Sequence, residues 1–241
     1  MPVILHIETS TRVCSVALSR DGALLSIRED HSEEYSHSSL LTVFMDEVIK
    51  DSGLRPEDVS AVAVSQGPGS YTGLRIGVSA AKGFCYALEI PLIAVDTMRS
   101  MAREALRHVE EQDDLINPRA LNTLFCPMID ARRMEVYCAI FDARLEEVMD
   151  TRAVILDGSC FMRELFDRTM YFFGDGASKC RNVVDHPNAL YLDSVHPSAR
   201  GMIAEAEYKF HDGDFADLAY FEPFYLKDFV AGKPKVKGLS S

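Results

Sequence analysis

Val59-Ser60-Ala61-Val62-Ala63-Val64-Ser65 runs, one residue later, into Gly67-Pro68-Gly69-Ser70-Tyr71-Thr72-Gly73-Leu74-Arg75-Ile76-Gly77. The first part is a continuous apolar run of the kind that helices bury on both faces of a parallel sheet. Helical periodicity follows over residues 72–88, so the glycine segment is a strand-to-helix turn. Such a turn can aim backbone N–H groups at an anion. The generic phosphate and nucleophile motifs nevertheless fail here. There is no Gly-Lys-Ser/Thr ending of a P-loop, no Gly-x-Ser-x-Gly elbow and no three-glycine dinucleotide spacing. On the residues alone, a tight turn is favoured over a phosphate cradle.

On the N-terminal side, residues 3–8 form an apolar run, and residues 14–19 place Val16 and Leu18 on one face. Arg20-Asp21-Gly22 signals a tight turn and residues 23–28 a hairpin return. Residues 38–50 have helical periodicity. On the C-terminal side, residues 91–95 predict a short strand, and a helix starts at Asp96 or Thr97. The stretch 108–118 is polar and acidic (Glu110-Glu111-Gln112-Asp113-Asp114) and ends in Asn117-Pro118, which marks a linker or the start of a second unit. The order then recurs. Strands are expected over 123–129, 135–141 and, more weakly, 147–154, followed by a helix over 158–168, a strand over 170–173 and the turn Gly174-Asp175-Gly176. A helix near 198–211 and a segment 222–229 packing back toward the first unit finish the chain. Two meanders with crossover helices, divided as 1–107 and 108–241, predict an α/β, two-lobed, duplicated ribonuclease-H-like fold of the actin and sugar-kinase kind.

The 241 residues, 47% apolar, suffice for such a pair of cores. A net charge of −12, from 37 acidic and 25 basic residues, repels polyanions at long range and disfavours a general nucleic-acid binder. The concentrated basic stretch is Lys233-Pro234-Lys235-Val236-Lys237. Cys14, Cys85, Cys126, Cys138, Cys160 and Cys180 show no two-residue spacing, and free, mostly buried thiols are expected. The start lacks a basic, apolar leader, and no apolar run nears the roughly 18 residues of a span. These features predict a cytoplasmic protein with no membrane association.

The glycine segment closely resembles the signature of the TsaB (YeaZ) family. Ile7-Glu8-Thr9-Ser10 with Cys14-Ser15-Val16-Ala17-Leu18 resembles that family's opening strand pair, and Ile129-Asp130-Ala131-Arg132-Arg133-Met134-Glu135-Val136-Tyr137 its mid-chain motif. Gly174-Asp175-Gly176-Ala177 and Glu222-Pro223-Phe224-Tyr225-Leu226 resemble its two later ones, so the likeness runs from residue 7 to about residue 226. It implies an actin-like fold (the ASKHA group) and a role in threonylcarbamoylation of the tRNA adenosine beside the anticodon, called t6A. In that role the chain would support the catalytic, metal-bearing subunit TsaD together with the ATPase TsaE. It would meet tRNA indirectly and form a homodimer when alone. ATP, magnesium and the metal would belong to the partner subunits, with no cofactor bound by this chain alone.

The residues themselves weaken the catalytic alternatives, an independent actin-like kinase or ATPase and a metallopeptidase. Actin-like ATPases need an aspartate and a glycine in the first-strand turn, whereas this turn reads Glu8-Thr9-Ser10-Thr11. Family members more often carry aspartate there. Glu8, Thr9, Ser10, Gly67, Gly69 and Asp130 thus form a candidate vestigial nucleotide site. At Asp130 an ion-paired turn with Arg132 and Arg133 is favoured over a general base. No two of the seven histidines lie three or four residues apart, so no helix-face metal pair exists. His31 and His37, bracketing Ser32-Glu33-Glu34-Tyr35-Ser36, read as surface or capping residues.

On the first helix, Leu40, Phe44 and Val48 form one stripe and Leu41, Met45 and Ile49 another. Together they span roughly 180°, wider than the ~100° of a one-sided helix. The second helix carries a polar wedge (Arg75, Ser79, Lys82, Tyr86), a small-residue face (Gly73, Gly77, Ala80, Gly83, Ala87) and a bulky one. Periodicity leaves open whether the second burial face meets the other lobe or another protein. The family resemblance implies a four-helix interface with TsaD or with a second copy, which points to Leu41, Met45, Ile49, Gly73, Ile76, Gly77, Ala80 and Phe84.

Overall fold

A computed structural model describes residues 1–32, 37–112 and 122–227. The expectations for Glu33 to Ser36, for Asp113-Asp114, for Asn117-Pro118, for residues 228–229 and for the lysine-rich tail lie outside the described residues.

The first three strands, β1 (Val3–Glu8), β2 (Cys14–Arg20) and β3 (Ala23–Asp30), make the expected meander. Then come α1 (His37–Asp51), β4 (Ala61–Ser65), α2 (Tyr71–Leu88) and β5 (Leu92–Val95). The sheet order is β3-β2-β1-β4-β5, with β2 antiparallel to β1 and β3, and β4 and β5 parallel to β1. α3 (Thr97–Gln112) leads into β6 (Thr123–Asp130), β7 (Glu135–Asp142), β8 (Glu147–Ile155), α4 (Met162–Leu165), β9 (Thr169–Phe173), α5 (Ala177–Arg181) and β10 (Ala189–Leu192). This sheet is ordered β8-β7-β6-β9-β10, antiparallel across β8, β7 and β6 and parallel across β6, β9 and β10. Strand order and direction therefore match between the sheets, and the chain is a two-lobed, actin-like fold made of two ribonuclease-H-like halves.

Alternate residues of each buried strand face opposite layers. On one face of the first sheet, Leu5, Ile7, Val16, Leu18, Val62 and Val64 pack with α1 and α2. On the other, Ile4, Ala17, Ala61, Ala63, Ile93 and Val95 meet a short 3-10 turn, Ala199–Met202, and α6 (Ile203–Asp212). The second sheet sets Phe125, Ile129, Phe141, Tyr171 and Phe173 against α3. α3 brings Met98, Met101, Ala102, Ala105, Leu106 and Val109, a helical i, i+3, i+4, i+7 stripe. Each fully buried leucine- or methionine-sized side chain there contributes about 1.5–3 kcal/mol.

This packing differs from the expected division in two ways. Residues 97–107, expected in the first unit, form most of a helix that covers the second sheet. The polar stretch from His108, expected as linker, continues that helix to Gln112 because Val109 still falls on the buried stripe. The helix expected over 158–168 is only the single turn α4. α5 and β10 were not anticipated, being four or five residues long and without clear periodicity. No helix among the described residues is long and apolar enough to cross a membrane.

Candidate functional site

The turn leaving β1 is packed inside the protein: Glu8, Thr9, Ser10 and Thr11 are all buried. Ser10 N–H donates to Glu8 Oε1 at 2.6 Å, so the carboxyl caps its own turn. Glu8 Oε2 has no hydrogen-bond partner among the described residues. Burial raises the Glu8 pKa, against the opposing pull of hydrogen bonds from Ser10, Ser65 and Thr9. His37, the first residue of α1, is buried rather than on the surface, and its Nε2 lies 2.8 Å from the Thr11 carbonyl. Burial also lowers the His37 pKa, which favours the neutral ring.

Against this turn lies the N-terminal half of α2. A Cβ added at Gly69 would come within 3.0 Å of the Ser10 carbonyl, one at Gly73 within that distance of the Thr9 carbonyl, and one at Gly77 within that distance of Thr9 Oγ1. Thr9 Oγ1 donates to the Gly73 carbonyl at 2.8 Å, and Ser70 N–H donates to the Ser10 carbonyl at 2.6 Å. Ser70 caps the helix by accepting from Gly73 N–H. The glycine signature is therefore a seat for the Thr9-Ser10 turn, and the Ser70 and Gly73 amides are satisfied from within the chain.

Gly67 answers to a different neighbour. Its φ is +110°, and a Cβ there would stand 2.5 Å from the Phe224 carbonyl. Phe224 N–H donates to the Gln66 carbonyl at 2.7 Å. The C-terminal segment is also held by α2: Arg75 stacks on Tyr71 and donates to Tyr225 Oη, while Lys82 donates to the carbonyls of Ala219 and Phe221. Two distant family-like motifs thus meet in space, and Arg75 and Lys82 of the polar wedge grip the C-terminal segment as a strap.

The structure places Gly69 against the Glu8-Thr9-Ser10 turn, while Gly67 faces Phe224 and Asp130 stands on the second sheet among different partners. Its carboxylate pairs with Lys179 at 2.6 Å rather than with the Arg132 or Arg133 side chains, and it accepts Arg132 N–H at 2.5 Å. Asp130 N–H donates to Asp175 Oδ1 at 2.9 Å, and burial raises the Asp175 pKa. Lys227 pairs with Glu135 at 2.5 Å. Sequence reasoning missed Asp175, Lys179 and Lys227 as members of this group. Only the Gly174-Asp175-Gly176 turn signalled any of them.

The helix faces also require a correction. Leu41, Met45 and Ile49 sit in the first lobe's core, and Gly73 and Gly77 face the β1 turn. These five positions are committed to the chain's own interior, because the small-residue track lets α2 approach its own sheet. Ile76, Ala80 and Phe84 are half-buried along the rim of that core, beside Leu40 and Phe44 of α1. Val43 is 46% exposed, and Gly83 has open space where a Cβ would be. Among the described residues, no three His, Cys, Asp or Glu side chains group to hold a metal ion.

What the fold and the turn define is a two-lobed actin-like protein whose first-strand turn is closed by its own carboxyl and whose glycine loop seats that turn. The family model described as TsaD: tRNA N6-adenosine threonylcarbamoyltransferase matches residues 32–220. A Bacillus subtilis protein named tRNA threonylcarbamoyladenosine biosynthesis protein TsaB is 30% identical over 185 residues, covering 76% of this chain and 75% of that one. The Escherichia coli protein of the same name is 29% identical over 236 residues, covering 95% and 96%. In fold, the chain is similar to the solved structure of YeaZ from Pseudomonas aeruginosa, with a TM-score of 0.73 at 23% identity over 94% of this chain and 100% of that one. The chain belongs to this family, in its TsaB (YeaZ) group.

Proposed function

We propose that this chain is the non-catalytic partner subunit in the threonylcarbamoylation of tRNA adenosine beside the anticodon, acting on the transferase subunit TsaD together with the ATPase TsaE. The observation that carries this reading is the closed first-strand turn. With Glu8 Oε1 2.6 Å from Ser10 N and α2 seated on Thr9-Ser10, the backbone groups that an actin-like ATPase would turn to phosphate serve the chain's own packing. The names of the relatives support the pathway, and the closed turn supports leaving ATP, magnesium and the catalytic metal to the partners.

The partner face follows from the corrected geometry. It is the outer seam of α1 and α2, comprising Val43 and Phe44 with Ile76, Ala80, Gly83 and Phe84. These residues are half-buried or exposed, apolar or small, and lie on two neighbouring helices. A homodimer of the lone chain would use the same seam. Reconstitution with TsaD, TsaE, tRNA and a threonylcarbamoyl-adenylate source, with and without this chain, tests the function. The expected result is multi-turnover modification only when the chain is present. Full multi-turnover activity in its absence would overturn the reading, and so would modification by this chain alone.

A further inference from the structure

The rim of the second lobe carries a local charge balance that its hairpin tip breaks. Asp130 is matched by Lys179 and Glu135 by Lys227, while Asp175 faces the charges of Arg12 and Lys179. Arg132 and Arg133, at the tip between β6 and β7, are both exposed and make no side-chain ion pair among the described residues. Two guanidinium groups are therefore surplus, on a chain whose net charge is −12.

Their backbone makes the choice of residues more pointed. Arg132 has φ +71° and Arg133 φ +50°, consecutive left-handed positions in the three-residue connection between Ala131 and Glu135, a backbone that asparagine and glycine adopt with less strain than arginine. Neither arginine side chain gains a partner among the described residues for occupying that backbone. The tip is also stiffly based. Glu135 N–H donates to the Arg132 carbonyl at 3.2 Å, Ala131 N–H donates to the Glu135 carbonyl at 3.1 Å, and Lys179 grips both Asp130 and the Glu135 carbonyl. Paired guanidiniums on a fixed base match phosphate geometry, since each presents a planar fork of donors. A protruding tip suits an extended phosphate backbone, whereas a small ligand needs a concave site.

We propose that the Arg132-Arg133 turn contacts the phosphate backbone of RNA, which on the function proposed above is the tRNA substrate, with most of the RNA held by the transferase subunit. The test is tRNA binding to the complex of this chain with that subunit, measured between about 50 and 200 mM salt, for the parent and for Arg132→Asn/Arg133→Gly. The substitution keeps a favourable turn, so the melting temperature of the chain stays level or rises. The slope of log affinity against log salt becomes shallower by about 1.4–1.8, the yield of two lost phosphate contacts. A slope and affinity equal to the parent's overturn the proposal and leave the function standing. Loss of co-elution with the transferase subunit would make the turn a protein contact and also overturn it. A parent complex that binds no tRNA at all removes both this proposal and the function on which it rests.

Discussion

At Gly73 and Gly77 the missing Cβ is what allows a helix to rest on a turn. A methyl group at Gly73 would press on the Thr9 carbonyl, and the backbone of a buried turn has little room to withdraw. Gly73→Ala is expected to destabilise the lone chain by about 1–3 kcal/mol despite alanine's better helix propensity. Thermal melts followed by circular dichroism check this, and a melting temperature equal to the parent's would contradict the packing described. Glu8 makes a separate prediction through its protonation. Burial holds its folded pKa above the ordinary carboxylate value, so its contribution is fully present below that ordinary value and is lost as pH rises through the raised one. Glu8→Gln keeps an acceptor for Ser10 N–H and cannot ionise. The stability of the variant relative to the parent should therefore climb between pH 4 and pH 8 in denaturant titrations. A difference that stays flat with pH would mean that Glu8 ionises freely in the folded chain. The glycines and the carboxylate were legible in the sequence as special residues, but their neighbours were not. Spacing shows that something approaches closely, and only the fold shows that it is Thr9.

α1 and α2 show where helical periodicity is informative and where it stops. The pattern correctly gave both helices two apolar faces. It could not say which face was inner, because Leu41, Met45 and Ile49 and the neighbouring Leu40–Phe44 stripe are equally apolar. Burial assigns the first set and Val48 to the core and leaves Leu40 and Phe44 at the rim. Likewise, Gly83 belongs by sequence to the same small-residue face as Gly73, yet a side chain added there meets nothing within 4 Å. Gly83→Ala is accordingly expected to stabilise the lone chain by up to ~1 kcal/mol, the usual gain for an exposed helical glycine, opposite in sign to Gly73→Ala. Paired melts of the two variants read this contrast directly, and a destabilised Gly83→Ala would put Gly83 in a packed environment. α3 was legible as a helix from its start, but its end and its allegiance were not. The acidic run looked like a linker, although the apolar stripe continues through Val109 and carries the helix onto the second sheet.

Over the whole molecule, the recurrence of strand, strand, strand and crossover helix was readable because the long strands and hairpin turns repeat in order. The closing strand of the second sheet, Ala189–Leu192, was too short and too weakly patterned to see, although the sheet order needs it to complete the match with the first. Exchange of covering layers was equally hidden: α3 covers the second sheet while Ala199–Met202 and α6 return to the first. The strap from Phe215 to Lys227 ties the glycine loop, α2 and Glu135 together, so it anchors the helix that carries Ile76, Ala80, Gly83 and Phe84. On the proposed function, the seam of α1 and α2, and not the inward glycine track, meets the transferase subunit. The most direct measurement is size-exclusion co-elution of Val43→Arg/Gly83→Arg with that subunit, alongside a melt of the variant alone. Both positions have room for the new side chains, so the expected result is a folded chain with a melting temperature near the parent's that no longer co-elutes. Undiminished co-elution of that folded variant would contradict it.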